Sequence, residues 1–453
     1  MKCLKIMAVA TAMVAGAAAN AQDTLNVMAY NVLYYGNGCQ GPNGLYHRYL
    51  KTIVAHTSPD ILSLEKLASI PVSPGDVAAT APAGFADSIL ENALSPAWPG
   101  RYAYCPFTNQ AYANNQAVLF YDQHKLGFCN IVATYSNLTD FNIYKLYYKD
   151  ANLDRTHDTT FLYVIPNHDK SGDEYEVVRG KQIKGVMDVI RQHFSHLPNM
   201  LDLGDFNVRN SDETFYKLLT ASGDTAFTFS DPPFYPDRRL RYPADWDHNP
   251  EFAAYFTTST RESGSIPNSC GSGGGAKNWY DHIFISPWLV SGANYMTYVP
   301  GSYRTVGNDG SRFKVSVNNQ NTHHNVSVPD DVVEALYRMS NKYPVMVRIA
   351  VRANSTGQSL PDPELKNVVA AVQDKIIVES LANDRLVMHF PDAMTGQDII
   401  LECVGKDGSV AWSKNVNVQG AEGDFKCKID AGAYTLRVRT RHNLIAEIAI
   451  EKK

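Results

Sequence analysis

Two kinds of apolar pattern alternate over residues 25–352, and this alternation constrains the fold more than any other feature. Short apolar or alternating runs typical of strands include residues 25–33 and 200–203. Between such runs lie stretches with apolar residues at helical spacing, for example residues 46–56 and 183–194. Strands that alternate with helices predict an α/β fold.

The pattern changes near residue 353, which predicts a second domain. Residues 353–375 begin with a small polar and Pro/Gly-rich stretch, so we predict a linker there. Residues 376–453 contain strand-like runs separated by turn signals such as Asp407-Gly408, which is typical of a small all-β sandwich. Within the first domain, residues 22–352, the segments 71–99 and 230–275 lack a regular pattern and are predicted to be irregular.

Residues 1–21 have the features of a secretory signal peptide. Lys2 and Lys5 precede an apolar run, and Ala19-Asn20-Ala21 forms a small-x-small cleavage pattern. The apolar run is shorter than the roughly 18 residues that a membrane-spanning helix needs, and no second long run follows. We therefore expect an exported protein without a transmembrane segment, located outside the cell or on its outer surface, with the periplasm as the alternative.

Composition narrows the possible functions. Hydrophobic residues make up 44% of the chain and charged residues 19%, which excludes a disordered protein. A formal net charge of −5 argues against constitutive, non-specific DNA binding, although a local basic groove is compatible with it. Among the cysteines that follow the predicted signal peptide, Cys403 and Cys427 could form a disulfide in the C-terminal domain or remain buried thiols.

Polar residues stand at or near the ends of several predicted strands. Asp205 and Asn207 follow the apolar run 200–203, at the end of a strand where α/β folds bind ligands. Asn31 lies within the first strand, His168 follows another strand and Asp281 begins a third. Each could be a satisfied structural group, but their recurrence at strand ends favours one common cleft, in which a carboxylate can bind a hard cation.

In this order the motifs resemble the endonuclease/exonuclease/phosphatase superfamily over residues 25–352. The resemblance implies a four-layer α/β/β/α sandwich and the hydrolysis of phosphate esters with a divalent metal, usually Mg²⁺. It implies that Asn31 belongs to the first-strand motif and that His168 contacts the scissile phosphate. It also implies that Asp205 binds the metal or positions the nucleophile, that Asn207 orients the phosphate and that Asp281 orients a catalytic histidine.

The chain departs from this family pattern at three positions. The family motif PDI-x-x-LQE is here PDILSLEK, so Lys66 stands where the metal-binding glutamate is expected. The motif SDHxPV is here SNKYPV, so Asn341 replaces a carboxylate and Lys342 replaces the general-base histidine. Glu65 is one residue early, and since neighbouring side chains on a strand face opposite sides, we expect it to face away unless a β-bulge turns it inward.

These substitutions argue against ordinary catalysis. A lysine paired with a carboxylate stays protonated at neutral pH and cannot accept a proton from water. We expect Lys66 to contact Asp205 and Lys342 to contact Asp281, and we expect Mg²⁺ to bind Asp205 weakly or not at all. Lysine remains a competent phosphate ligand. The predicted substrate-binding residues are Asn31, Lys66, Asn341 and Lys342.

The sequence therefore favours a pseudoenzyme or weakened hydrolase directed to a phosphate-containing ligand, such as a nucleic acid, a nucleotide or a phospholipid head group. One alternative is an active Mg²⁺-dependent nuclease or phosphodiesterase with rearranged ligands. Another is a non-catalytic surface or adhesion scaffold.

Residues 376–453 resemble the type A sorting domains of type IX secretion. The resemblance rests on the closing strands, the segment AGAYTLRV at residues 431–438 and the basic end Lys452-Lys453. It implies that the export machinery is a partner of this domain. An ordinary accessory β-sandwich is the alternative.

Overall fold

The computed structural model describes residues 21–37, 41–69, 80–264, 271–321, 323–364, 376–391, 394, 398–439 and 444–452. Residues 1–20 of the predicted signal peptide and residues 365–375 of the predicted linker lie outside this part of the chain. The chain divides into two compact units. The first comprises Met1–Arg191 and His196–Pro363, and the second comprises Gln192–Ser195 and Glu364–Lys453.

The strands of the first unit are β1 (Ala21–Tyr35), β2 (Ile61–Ala68), β3 (Tyr102–Tyr104), β4 (Asn115–Asp122), β5 (Leu126–Asn137), β6 (Thr139–Tyr148), β7 (Phe161–His168), β8 (Met200–Asp205), β9 (Asp281–Ile285), β10 (Met296–Tyr298), β11 (Arg304–Thr305) and β12 (Val345–Arg352). The helices are α1 (Asn43–Thr57), α2 (Thr80–Ile89), α3 (Ser95–Ala97), α4 (Leu153–Thr156), α5 (Glu176–His193), α6 (Thr214–Thr220), α7 (Pro287–Ser291) and α8 (Asp330–Met339).

Two sheets lie face to face in the first unit. One has the strand order β10-β12-β1-β2-β4-β3, and the other has the order β5-β6-β7-β8-β9. Strands β1 and β2 lie against β7 and β8, and β12 lies against β9. On the outside, α1 and α8 pack together, while Gln182 of α5 donates a hydrogen bond to the carbonyl of Asn137 at the end of β5. The predicted α/β/β/α architecture is confirmed.

The amphipathic helices explain these layers. Helix α8 buries Val332, Leu336 and Met339 at helical spacing, so that one apolar stripe faces the core. Strand β8 is buried along its whole length, because it has a neighbouring strand on each side and a layer on each face.

Strand β2 contains a β-bulge that bears directly on the site. Leu64 pairs with Val118 and Leu67 pairs with Gln116, so β2 uses one more residue than β4 over this stretch. Lys66 lies within this bulge and has a φ of 58°. Leu64 and Leu67 therefore lie on the same face of the sheet.

One segment predicted to be irregular is partly helical. Within 71–99, Thr80–Ile89 and Ser95–Ala97 are α-helical and Leu90–Leu94 is a π-helical turn, while residues 71–79 lie outside the described residues. Pro82 lies in the first turn of its helix, where the missing N–H of a proline costs nothing. Within the described part of 230–275, the 3₁₀ turn Pro250–Tyr255 is the regular helical element.

The second unit is a small antiparallel β structure, as predicted. Its strands are β13 (Ile377–Ala382), β14 (Arg385–His389), β15 (Asp398–Val404), β16 (Val410–Asn417), β17 (Glu422–Lys426), β18 (Gly432–Arg439) and β19 (Leu444–Lys452). They form one sheet with the order β13-β14-β17 and another with the order β16-β15-β18-β19. Buried side chains from both sheets, such as Leu386 and Leu436, belong to one apolar cluster.

Across the described part of the chain, no helix has both the length and the apolar character needed to cross a membrane.

Candidate functional site

A cleft of about 470 Å³ lies where several strands of both sheets end. His168 is the last residue of β7 and Asp205 is the last residue of β8, which run parallel. Asp281 begins the antiparallel neighbour β9 and therefore lies at the same edge. The predicted site residues that line the cleft are Asn31, Lys66, His168, Asp205, Asn207, Asn341 and Lys342.

Lys342 forms the floor of the cleft. Its Nζ lies 2.8 Å from Oδ2 of Asp205 and 3.4 Å from Oδ2 of Asp281. Burial disfavours the charged ammonium, but the two carboxyl groups outweigh this effect and raise the pKa of Lys342. The expected contact between Lys342 and Asp281 is present, and the contact with Asp205 is the shorter of the two.

The two carboxyl groups that share this ammonium differ in charge state. Burial raises the pKa of Asp205, but Lys342, His168 and the hydrogen bond from Asn31 outweigh it, and the net shift is downward. The amide nitrogen of Asn31 lies 2.7 Å from Oδ2 of Asp205. For Asp281, burial together with repulsion from Asp205 outweighs Lys342 and raises the pKa. The negative charge of the floor therefore rests on Asp205.

Glu65 faces the interior, so the expectation that it faces away from the site is wrong. It pairs in register with Asn31 on the neighbouring parallel strand, and paired residues project to the same face. Asn31 projects toward Asp205, and Glu65 therefore lies on the side of the cleft floor. The pairing of β1 with β2 is regular up to Asn31 and Glu65, and the bulge at Lys66 follows Glu65.

The Glu65 carboxyl group is fully buried, and neither of its oxygens has a hydrogen-bond partner among the described residues. Burial raises its pKa well above the usual range, and the neighbouring carboxyl groups of Asp281 and Asp205 add to the shift. Burial therefore disfavours the charged carboxylate form of Glu65, which is the form that binds a metal.

Lys66 lines the rim of the cleft. The expected contact with Asp205 is absent from the described structure, and Nζ of Lys66 lies 4.6 Å from the ring centroid of Tyr34. Burial lowers the pKa of Lys66 to about 8, an effect that Asp205 partly opposes. Lys66 is still mostly protonated at neutral pH and faces the cleft without a carboxylate partner in the described structure.

His168 is neutral. Burial lowers its pKa to about 3, and the positive charge of Lys66 adds to this shift. Its Nδ1 lies 3.1 Å from the amide oxygen of Asn115. Because that oxygen can only accept, Nδ1 carries the proton and Nε2 is an acceptor.

The two asparagines of the cleft differ in the freedom of their amide groups. Asn207 has a φ of 52° and donates from Nδ2 to the carbonyl of Asp169 at 2.9 Å. Asn341 donates from Nδ2 to the hydroxyl of Ser272 at 2.8 Å, and its amide oxygen has no partner in the described part of the chain.

Gly204 permits the close approach of β8 to β7, since a Cβ there would lie 2.0 Å from the carbonyl oxygen of Asn167.

Further cleft residues had no signal in the sequence motifs. Arg209, Lys277, Ser272 and Tyr280 line the cleft together with the predicted residues. Ser272 lies in the irregular segment 230–275, where periodicity carries no information about side-chain direction. Arg209 could have been proposed from the sequence, because it follows Asn207 by two residues. In the structure it forms ion pairs with Asp173 and Asp247.

The residues of the cleft do not fit Mg²⁺ while Lys342 is in place. Among the described residues, no three His, Cys, Asp or Glu side chains are grouped so that they could hold a metal ion. Mg²⁺ prefers charged oxygen ligands, but Asp205 is paired with an ammonium, and burial raises the pKa of Glu65 and so disfavours its charged form. A divalent ion about 4 Å from that ammonium would be repelled by about 8 kcal/mol at an effective dielectric constant of ~20.

No protein-family model matches the chain, and no curated protein matches it in sequence. Several solved structures are similar in fold. The catalytic domain of human Nocturnin is 13% identical with a TM-score of 0.42, and the match covers 72% of this chain and 94% of that one. An endonuclease/exonuclease/phosphatase from Beutenbergia cavernae is 11% identical with a TM-score of 0.40, and the match covers 94% and 99%.

An endonuclease/exonuclease/phosphatase family protein from Bacteroides thetaiotaomicron is 12% identical with a TM-score of 0.41, over 73% of this chain and 95% of that one. At these identities and TM-scores the similarity carries no information about activity.

Proposed function

We propose that this chain is an exported protein that binds a phosphate-containing ligand in the cleft without Mg²⁺ and hydrolyses it weakly or not at all. The observation that carries the proposal is the position of Lys342, whose ammonium lies 2.8 Å from Asp205 and 3.4 Å from Asp281. The ammonium of Lys342 thus pairs with Asp205, the carboxylate that the family resemblance assigns to the metal.

The same geometry leaves no general base at the motif position. Lys342 stands where the resemblance implies a histidine, and its pKa is raised, so it remains protonated at neutral pH. A protonated lysine cannot take a proton from water. His168 has an acceptor nitrogen, but the low pKa of its ring makes it a weak base.

The ligand class follows from the cations that face the cleft. Lys66, Lys277 and Arg209 line its wall, and Lys66 has no carboxylate partner within the described structure. An anion with several oxygen acceptors, such as a phosphate group, can accept hydrogen bonds from these donors together. We propose a nucleotide, a nucleic-acid end or a phospholipid head group as the source of that phosphate.

Calorimetric titration tests the proposal on residues 22–453. The ligands are inorganic phosphate, a nucleoside monophosphate, a short single-stranded oligonucleotide and glycerophosphocholine, each with EDTA and with Mg²⁺. We expect at least one ligand to bind with equal affinity under both conditions. Binding of none of them would favour the non-catalytic scaffold.

Two matched lysine variants locate the binding site. Lys66→Met should weaken binding about tenfold, because it removes a cation of the cleft at nearly constant volume. Lys184→Met should leave the affinity unchanged, since Lys184 is 64% exposed and pairs with Asp188 on α5. Equal effects of the two variants would place the ligand elsewhere.

The second candidate function is an active Mg²⁺-dependent phosphodiesterase with rearranged ligands. The inward position of Glu65 favours it, because this places a carboxyl group on the side of Asp205. Robust Mg²⁺-dependent hydrolysis of any ligand in the panel, abolished by Asp205→Ala, would establish this function in place of the first.

Export is proposed from the sequence at the two ends of the chain. The N-terminal pattern predicts that the mature protein begins at Gln22, and the β structure of the C-terminal unit suits a sorting domain. Mass spectrometry of the exported fraction is the test, and an intact Met1 there would contradict a cleaved signal peptide.

A further inference from the structure

Two cysteines meet in the core of the C-terminal unit. Cys403 belongs to β15, where it lies between Trp412 of β16 and Leu436 of β18. Cys427 directly follows β17 in the other sheet, and its N–H donates to the carbonyl of Asp384. Their Sγ atoms are 3.8 Å apart, and both side chains are fully buried.

We propose that Cys403 and Cys427 form a disulfide that joins the two sheets of this unit in the exported protein. The sulfur atoms need to approach by roughly 1.8 Å to reach the S–S bond length of about 2.05 Å. The two residues lie on different sheets, so the bond would cross-link strands that share no backbone hydrogen bonds.

The chemistry is an exchange with an existing disulfide. One thiol, as its thiolate, attacks a disulfide of a thiol–disulfide oxidoreductase, and the second thiol then displaces that enzyme from the mixed disulfide. The two cysteines lose two protons and two electrons, and the oxidoreductase disulfide is reduced to two thiols. Such oxidants act in the exported compartments that the signal peptide predicts.

Burial determines when this exchange can occur. It raises the pKa of the Cys403 thiol to about 12, and it also raises the pKa of Cys427. Since the thiolate is the reactive form, both thiols are slow to react once the core has closed. The bond therefore forms before folding is complete, and the folded core then shields it from reductants.

The bond would matter for stability because the unit is small. It closes a loop between residues 24 positions apart, which limits the conformations of the unfolded chain. Small domains with limited cores depend on such cross-links more than large ones do.

Peptide mapping of the full chain tests the proposal directly. The protein is exported from its host, denatured without reductant, alkylated and digested. We expect the peptides containing Cys403 and Cys427 to be linked and two hydrogens lighter than the separate peptides, and Cys105 to be alkylated. Complete alkylation of both Cys403 and Cys427 would overturn the proposal.

A stability measurement gives a second, independent result. Protein that has been reduced in denaturant and refolded with dithiothreitol present should unfold with the midpoint of one calorimetric transition lowered by roughly 10–25 °C. The variant Cys403→Ala/Cys427→Ala should show the lower midpoint with or without reductant. Equal midpoints of the native chain under both conditions would contradict a stabilising disulfide, whereas binding of phosphate in the first unit would be unaffected by either outcome.

Discussion

The first unit contains two buried clusters of opposite charges that differ in how completely they are satisfied. Arg179 and Glu213 are joined by hydrogen bonds of 2.9–3.0 Å, and Arg179 also donates to the carbonyls of Lys170 and Gly172. The backbone N–H of Arg209 donates to Glu213. This cluster is saturated, and it links α5 to the loops that follow β7 and β8.

The floor of the cleft is not saturated. Lys342 serves two carboxyl groups at once, and one oxygen of Asp281, the amide oxygen of Asn341 and both oxygens of Glu65 find no partner among the described residues. A saturated cluster contributes to a rigid fold, whereas an unsaturated one keeps polar groups available for a ligand. The Arg179 cluster therefore supports the fold, and the Lys342 cluster belongs to the site.

The largest effect should come from breaking the saturated pair. Arg179→Met leaves the Glu213 carboxylate buried without its partner, so we expect the free energy of unfolding to fall by about 3–5 kcal/mol. Urea denaturation measures it. The matched control Arg338→Met breaks the half-exposed pair with Glu334 and should cost about 0.5 kcal/mol or less. Similar losses in the two variants would contradict a structural role for Arg179.

Removal of the cation from the cleft floor should cost less. Lys342→Met should lower the free energy of unfolding by about 1–3 kcal/mol, because Asp205 then takes up a proton instead of remaining an unpaired buried charge. Urea denaturation at neutral pH measures this loss.

For the native chain, millimolar Mg²⁺ should leave the free energy of unfolding unchanged, since a ligand stabilises only the state that it binds. Stabilisation of the native chain by Mg²⁺ would show that the divalent ion displaces the ammonium.

The smallest effect concerns Asp202, a buried acid of β8 whose Oδ2 is unpartnered among the described residues. Burial raises its pKa from about 3.8 to about 7, and the hydrogen bond from Asn167 opposes this shift. The folded state therefore binds the proton more tightly than the unfolded state, and stability is lost as the pH rises from about 4 to about 7.

Between pH 5 and pH 7 we expect the free energy of unfolding to fall by about 2 kcal/mol from this group. Denaturation series at both pH values measure the loss. In Asp202→Asn this part of the pH dependence should disappear, whereas Asp212→Asn, which changes a side chain that is 73% exposed, should retain it. An unchanged pH profile in Asp202→Asn would assign the effect to another group.

Much of the fold could be predicted because it depends on local patterns. The alternation of strands and helices predicted an α/β fold, and the family resemblance implied two sheets with outer helices. The loss of helical spacing after residue 353 predicted the β structure of the second unit. The helices within 80–97 were missed because this segment lacks a regular apolar pattern.

The site was predicted less completely. Residues at strand ends converge because parallel strands end at one edge, which explains the placement of His168 and Asp205. Neither Arg209 nor Lys277 belongs to a motif, and only chain folding brings them to the same cleft. The direction of Glu65 depends on its register with Asn31 on the neighbouring strand, and the strand pattern alone does not show this register.

The sequence by itself determined which elements form and which chemical groups stand at their ends, because periodicity and motif spacing are local properties of the chain. It also determined that a lysine, Lys342, stands three residues before Val345 in the segment SNKYPV. Only the tertiary structure decided that the ammonium of this lysine contacts both Asp205 and Asp281. It also decided that the ammonium of Lys66 lies over the ring of Tyr34 instead of contacting Asp205. The inward direction of Glu65 was a third such outcome. These outcomes depend on burial and on contacts between residues far apart in the chain, which set the charge of each group and are absent from any local pattern.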